Sequence, residues 1–447
     1  MLNLQEWIEK QWPSRMFMDP RIHERTIFIA QACVRFPTGS IPERFESFGA
    51  VKGCYRFLNR KDMNHQKLQA GHYENVRQEA IASNGKVLFI QDGSELLYNS
   101  HKWTTGLGPT GDSCGNGLLF HSCLAVKFED NQPKVIGLSA QEAWVREEED
   151  EKAEEKVNIE ASEAKVWQKM LERTGRVPEG CNWITVGDRA SDIFSFVEVL
   201  KKLGYGCVLR TKHDRKIIVN GSERDLKQYM RSLPAMAEKQ RIARSTQDHS
   251  SHEQTLKISW TTAEMLSPKA EKEKRSIHGS YVRVWCETDP DIEWILFTLS
   301  TITSEEEALE IVTIYEHRWI IEEYHKCLKS GCKIEEAQLR TADRLFNLFG
   351  ILGVIATQLL QLRDISRIKP EDPAEQHTDP LNVEVIRIRY KLRAVITVKE
   401  FWRRVAMLGG FLARKSDGDP GWQKIWKGWI RLQDMRDGME MILQKMN

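Results

Sequence analysis

Asp92, Asp188 and Glu322 are acidic residues in three separate segments, and they are the residues best suited to share one piece of chemistry. Asp92 stands in FIQDGS, just past the apolar run of a strand, where an aspartate also serves as a turn former. Asp188 stands in ITVGDRASD at the C-terminal end of another strand, the edge at which α/β sheets place ligands. Asp192, one helical turn later, reads as a helix-start residue. Glu322 lies in YEHRWIIEEYHKCLKS, a helix with a capping box at Ser304 and Glu307 and a stop at Gly331. At about 100° per residue, Tyr315, Arg318, Glu322, Lys326 and Lys329 fall within about 80° of each other. Leu309, Ile314, Ile320, Ile321, Tyr324 and Leu328 gather opposite, so one face is apolar and the other chemical.

Two aspartates on neighbouring strands and a glutamate on a helix suit a two-metal site. Hard cations take oxygen ligands, and a pair about 3.5 to 4 Å apart activates water while stabilising the leaving 3′ oxygen of a phosphodiester. Arg318, Lys326 and Lys329 beside Glu322 suit the phosphates, arginine as a fork and lysine as a point charge. A plainer reading stands beside this one: Arg318 to Glu322 and Glu322 to Lys326 are four-residue charge pairs of the kind that stabilise a surface helix.

Elements must position these residues, and the chain is long enough for two or three domains at 447 residues. Residues 1–70 read as a helical module, with eleven Lys/Arg against seven Asp/Glu, a surplus of four. From Gly85, KVLFIQDGSELLY, GLLFHSCLAVKF and PKVIGLSAQEAWV predict an antiparallel meander. The run REEEDEKAEEK from Arg146 to Lys156 reads as a solvated loop and first helical turn. WITVGDRASDIFSFVEVLKKLGYGCVLR predicts a βαβ unit, and residues 212–300 an inserted β-rich subdomain. Arg210, Lys212, Arg215 and Lys216 cluster within that region's start, as phosphate contacts or as solvated charge. LFNLFGILGVIATQLLQL predicts a buried helix, DISRIKPEDPAEQHTDP a linker, and the rest a helical tail with Trp422, Trp426 and Trp429 on one face as core or subunit interface. The fold class is therefore α/β, a mixed-sheet core with a β insertion between helical ends.

The sequence motifs resemble those of the IS4 family of bacterial DDE transposases. Tyr315, Arg318, Glu322 and Lys329 reproduce the family's Y-x2-R-x3-E-x6-K pattern, and Asp92 in QDGSELLY and Asp188 in GDRASDIF match its first two acidic residues. The resemblance extends through CYRFLNR near Tyr55, RTKHDR at Arg210, LGGF at Leu408 and WQKIWKGW. It implies a ribonuclease-H-like catalytic core over 71–370, an N-terminal domain on transposon-end DNA, and a C-terminal dimerisation domain over 371–447. It further implies cut-and-paste transposition with Mg²⁺ or Mn²⁺, two ions held by Asp92, Asp188 and Glu322, through nicking, an end hairpin and strand transfer into target DNA. Tyr315, Arg318, Lys329, Lys326, Arg210 and Lys212 would contact DNA. Trp294 would stack on a flipped base, unless it is a core aromatic of an alternating strand.

Other classes fit less well. GLGPTG from Gly106 matches the dinucleotide fingerprint, but a strand follows where a helix must open, so its glycines are expected to connect strands. His325, Cys327 and Cys332 lack zinc-ligand spacing and read as a surface histidine and free thiols. A non-catalytic DNA-binding protein and a structure-specific nuclease are the remaining alternatives. The apolar runs are expected to fall short of a membrane span, and MLNLQEWIEK lacks the basic start of a signal peptide. With nine scattered cysteines, this predicts the bacterial cytoplasm, on the nucleoid when DNA is bound.

Overall fold

The computed structural model describes residues 4–83, 85–111, 115–129, 132–146, 159–243, 252–268, 273–365, 370–392, 395–414 and 417–446. Four helices lead: α1 (Leu4–Gln11), α2 (Pro20–Arg35), α3 (Phe48–Leu58) and α4 (His65–Ile81). Short polar side chains start three of them. Asp19 accepts from Arg21 N at 2.9 Å, Ser47 from Ala50 N at 3.2 Å and Asn64 from Lys67 N at 2.9 Å, each satisfying an amide that a first turn leaves without a partner. Trp12, buried between α1 and α4, donates its indole N–H to Leu68 O at 2.7 Å. α4 runs on through residue 70 and lies against the sheet, so it belongs to both layers.

The sheet starts with β1 (Lys86–Leu97), and β2 (Gly108–Thr110), β3 (Gly115–Glu129) and β4 (Gln132–Trp144) follow. β1, β3 and β4 pair antiparallel as the meander requires. GLGPTG supplies the small β2, which pairs with β3, so its glycines do sit in a connection between strands. After α5 (Ile159–Thr174), the chain forms β5 (Asn182–Gly187), α6 (Phe194–Leu203) and β6 (Gly206–Arg210), with β5 parallel to both β1 and β6. The order β4-β3-β1-β5-β6, two antiparallel pairings then two parallel ones, is a ribonuclease-H-like arrangement. Residues 87–91 of β1 are all buried, as a central strand covered on both faces must be.

The β-rich segment comprises β7 (Lys216–Val219), β8 (Ser222–Asp225), α7 (Leu226–Ser232), β9 (Ala237–Ala243), β10 (His252–Leu266), β11 (Ser276–Cys286) and β12 (Glu293–Thr298). β12 returns antiparallel to β6 through Leu296 opposite Arg210 and Phe297 opposite Leu209. The insertion therefore continues the same sheet, which reaches twelve strands.

α8 (Glu305–Glu316), α9 (Ile320–Lys326), α10 (Ala342–Ile365), α11 (Pro380–Tyr390), α12 (Val398–Leu408) and α13 (Trp422–Met446) complete the chain. Contrary to the expectation that every apolar run falls short of a span, Ala342–Gln361 of α10 is long and apolar enough to cross a membrane. Its most apolar window is 83% buried against the surrounding helices and β4, which makes it the core helix that its all-round hydrophobicity demands. Trp422, Trp426 and Trp429 are buried, with Trp402 and Trp429 at 5.3 Å between ring centroids, so that stripe is core. The eight described cysteines are free thiols. Of the acidic run after β4, only Arg146 lies within the described residues.

Candidate active site

Backbone register places the first two carboxylates. β1 and β5 pair from Lys86 opposite Asn182 to Ile90 opposite Val186, and Asp92 and Asp188 each stand two residues beyond that last pair, near enough for the Asp188 charge to act on Asp92. Adjacent strands run about 4.8 Å apart, so these side chains leave neighbouring strand ends together. Asp92 is the first residue after the fully buried run of β1. Asp188 accepts from Ala190 N at 2.9 Å, and its carbonyl accepts from Ser191 N at 3.1 Å in the tight turn that follows β5. Gly187 makes that turn possible, since a Cβ there would meet Ser191 Oγ at 2.5 Å.

Glu322 arrives on a helix that is not continuous, which corrects the straight-helix reading. The capping box at Ser304 and Glu307 is present. α8 then ends in a 3₁₀ turn at His317–Trp319, α9 begins at Ile320, and a π turn spans Cys327–Gly331. The first break has a local cause: the His317 ring hydrogen-bonds Thr313 O at 2.7 Å, while His317 N bonds Ile314 O, three residues back. Gly331 is no left-handed stop either. Its Cα faces Leu359 and Trp422, where a Cβ would meet atoms at 2.9 Å, and the left-handed residue is Lys333.

These breaks redistribute the chemical face. Tyr315 is buried, its ring 5.3 Å from that of Trp294 on β12. Burial pushes its phenol upward, with Arg210 and Arg318 pulling the other way. Glu322 and Lys326 are exposed and Lys329 is half-buried. His325 is buried rather than on the surface, edge-on to Phe120 at 5.0 Å, and burial takes its imidazole down to about 3, so it is neutral.

Arg318 ties helix to sheet: its guanidinium donates to Asp92 Oδ2 at 3.3 Å and also bonds Glu322 Oε1. Asp92 is pushed up to about 6, chiefly by burial and then by the Asp188 charge, with Glu322 adding to the rise and Arg318 opposing it. Asp92 thus feels both other carboxylates. Among the described residues no three His, Cys, Asp or Glu side chains are gathered tightly enough to enclose an ion, because Arg318 occupies the space between two of the acids. The donor set nevertheless fits a hard cation. It is all carboxylate oxygen, and the repulsion that raises Asp92 is what a nearby divalent charge would relieve.

A cleft of about 530 Å³ opens over this corner, lined by Asp92, Glu95, Arg146, Arg189, Lys212 and His213 among others. Of the basic cluster, Lys212 is exposed at the cleft, while Arg210 donates to Glu293 O at 3.1 Å beside Tyr315. Arg215 and Lys216 are tied elsewhere, Arg215 to Asp192 and Lys216 to Asp225 at 2.8 Å. Asp192 does not start α6, whose cap position is Ile193. It is buried and accepts from Lys212 N at 2.7 Å and His213 N at 2.9 Å, which pins the basic loop to the strand end. Trp294 is half-buried, between Tyr315 and Arg241, whose guanidinium lies 5.8 Å from the ring.

Sequence reasoning missed the buried network that seats α9. Gln141 of β4 donates to Tyr324 Oη at 2.8 Å and Ser122 Oγ at 2.9 Å, accepts from Gln69 of α4 at 2.7 Å, and Tyr324 donates to Gly353 O at 3.1 Å. Tyr324 lies two residues from Glu322, so this network sets the height of the helix over the sheet. A buried-strand glutamine, Gln141 in VIGLSAQEAW, was the available signal.

Residues 160–359 match the transposase DDE domain family, a span that holds Asp188 and Glu322 while Asp92 precedes it. Residues 4–63, which hold α1 to α3, match the transposase DNA-binding family. A transposase DNA-binding domain followed by a transposase DDE domain on a ribonuclease-H-like sheet supports placing this chain among the DDE transposases.

Proposed function

We propose that the protein is a cut-and-paste DNA transposase of the IS4 family, similar to the Tn5 transposase. It would bind transposon ends through residues 1–70, cut them by metal-dependent hydrolysis with an end hairpin, and join the 3′ hydroxyls to target DNA. The observation that supports this reading is the linkage of three acids from three elements: the Asp188 charge raises Asp92, and Glu322 is joined to Asp92 through Arg318.

In this mechanism Asp92, Asp188 and Glu322 hold the divalent ions, Mg²⁺ or Mn²⁺. When bound, these supply an activated oxygen nucleophile and charge neutralisation at the phosphate. The chain's own residues do the rest. Arg318, released from Asp92 and Glu322, turns its fork to a phosphate, with Lys326 and Lys329 beside it along the strand. Lys212, on the loop pinned by Asp192, faces the same cleft. Arg210 holds Tyr315, and Trp294 beside them would stack on a displaced base. The working unit would be a homodimer that pairs two ends, in the bacterial cytoplasm.

The test incubates the full-length protein with its element-end DNA and Mg²⁺, against Glu322→Gln. Wild type is expected to nick and join DNA, and Glu322→Gln to bind without cutting. A wild type that binds ends yet never cuts overturns the reading in favour of a DNA-binding protein. Cutting without joining would leave a nuclease.

A further inference from the structure

β1 does not end at the catalytic corner. It continues five residues past Asp92 to Leu97, about 17 Å at 3.4 Å per residue, and delivers the chain to a loop that the proposed chemistry does not use. That loop is firmly built. Leu97 N donates to Glu335 Oε1 at 2.8 Å, the buried Tyr98 donates through its hydroxyl to Ile334 O at 3.2 Å, and Thr104 Oγ1 donates to Leu339 O at 2.6 Å. Thr105 N donates to Arg340 O and Ala342 N to Thr105 O, both at 2.9 Å, which welds the loop to the segment that follows Lys329.

On this rigid mount Trp103 is 88% exposed, the most exposed of the large aromatic side chains. A single exposed indole is ordinary on a protein surface, and what sets this one apart is the braced loop that holds it and the cavity and cations beside it. Beside it lies a cavity of about 730 Å³, large enough for a nucleotide, lined by His101, Lys102, Trp103, Gln338, Leu339 and Arg340. Lys102 and Arg340 are exposed, and neither is ion-paired among the described residues. Among the described residues, the buried His101 Nδ1 has no hydrogen-bond partner. Among the described residues, the pocket thus combines one flat aromatic face, two cations outside any ion pair and one ring nitrogen without a partner.

We propose that the Trp103 pocket is a second DNA-contact site, which takes an unstacked base of the strand flanking the cut. The base stacks on the indole and the adjoining phosphates meet Lys102 and Arg340. The match of charge selects the occupant: two free cations beside an aromatic plane complement a polyanion with flat bases and would repel a basic peptide. The pocket lies beyond the end of the strand that carries Asp92, and its second wall, Gln338 to Arg340, belongs to the segment that follows Lys329, so one DNA strand could run from the acidic corner to it. The site deepens the proposed DNA-cutting function and rests on it for its biological use, though not for its chemistry.

The test titrates the full-length protein with a short single-stranded deoxyoligonucleotide carrying 2-aminopurine, with affinity followed over a range of salt. Wild type is expected to quench the 2-aminopurine by stacking. Trp103→Ala is expected to lose the quench and about tenfold in affinity, while Trp103→Tyr keeps most of both. Lys102→Ala with Arg340→Ala is expected to flatten the log affinity against log salt slope by about 1.4, two phosphates at about 0.7 each. Equal quenching and affinity in wild type and Trp103→Ala overturns the proposal, whether or not the protein cuts DNA. So does a Trp103→Ala variant that alters only self-association in sedimentation, since the surface would then face a second copy. Trp103-dependent binding in a protein that cuts no end DNA would uphold this site and sink the transposase reading instead.

Discussion

Asp92 and Asp188 are carried by two paired strands, β1 and β5, whereas Glu322 is carried by a helix that breaks on both sides of it. The two strand residues follow largely buried runs, and the β1–β5 pairing up to Ile90 and Val186 anchors the strand ends from which they extend. Glu322 has a side chain 55% exposed, and its position depends on Arg318, on the 3₁₀ and π turns, and on the buried Gln141 and Tyr324 network. One wall of the site is set by backbone geometry and the other by side-chain contacts. The strand wall should therefore refuse any change of reach, while the helix wall should adjust.

The largest expected effect exchanges the carboxylates' lengths. Asp92→Glu adds a methylene where the backbone cannot retreat, and end cleavage is expected to fall by about 10³ or more, roughly 4 kcal/mol of transition-state stabilisation. Glu322→Asp shortens a half-exposed side chain on an adjustable helix, and a loss of about 10- to 100-fold is expected. Single-turnover cleavage rates of both variants decide the matter. Equal losses would break the distinction between the walls.

The strand wall was legible because its information is local. Apolar runs that end in aspartate, with a βαβ rhythm, give the strands, their order and the residues at their ends. The β insertion was also visible, but its continuity with β6 was not, because pairing of Leu296 with Arg210 spans residues far apart in sequence. The helix wall was read through a uniform helix of 3.6 residues per turn, and that assumption failed at His317 and Cys327. There a ring-to-carbonyl bond and the packing of Trp422 on Gly331 outweigh the regular repeat. Hence Tyr315 and His325 turned out buried, and Asp192, which looks like a cap, is a tether for the basic loop. The ion pair of Arg318 with Asp92 crosses 226 positions, and no periodicity could announce it.

A second, smaller effect probes the helix wall alone. Gln141→Leu strips Tyr324 and Ser122 of a shared donor in a buried place, which is expected to cost about 2 kcal/mol of stability. Tyr324 keeps its bond to Gly353 O, so the fold should survive. Cleavage is expected to drop about tenfold as α9 loses its fixed height, with end-DNA affinity unchanged. Urea unfolding and cleavage rates on the same preparation test this. A loss of stability without a loss of rate would mean that Glu322 does not depend on the network.

The smallest effect is one of pH, and it belongs to the strand wall. Asp92 titrates at about 6 in the folded protein against 3.8 ordinarily, so between those values the folded state binds the extra proton. Stability from this group is therefore highest below about pH 4, falls as pH rises towards 6, and stays low above it. The shift of about two units corresponds to about 3 kcal/mol at most, and about 1 to 2 kcal/mol is expected because the side chain is 20% exposed and paired with Arg318. Asp92→Asn should equal wild type below about pH 4 and exceed it by that margin at neutral pH, while cutting no DNA. Mg²⁺ should restore wild type at neutral pH and leave the variant unmoved, because only wild type has the buried charge for the cation to relieve. Chemical unfolding midpoints across this pH range, with and without Mg²⁺, give the answer. A wild type whose stability rises between pH 4 and 6 relative to Asp92→Asn would show that Arg318 alone already neutralises the site.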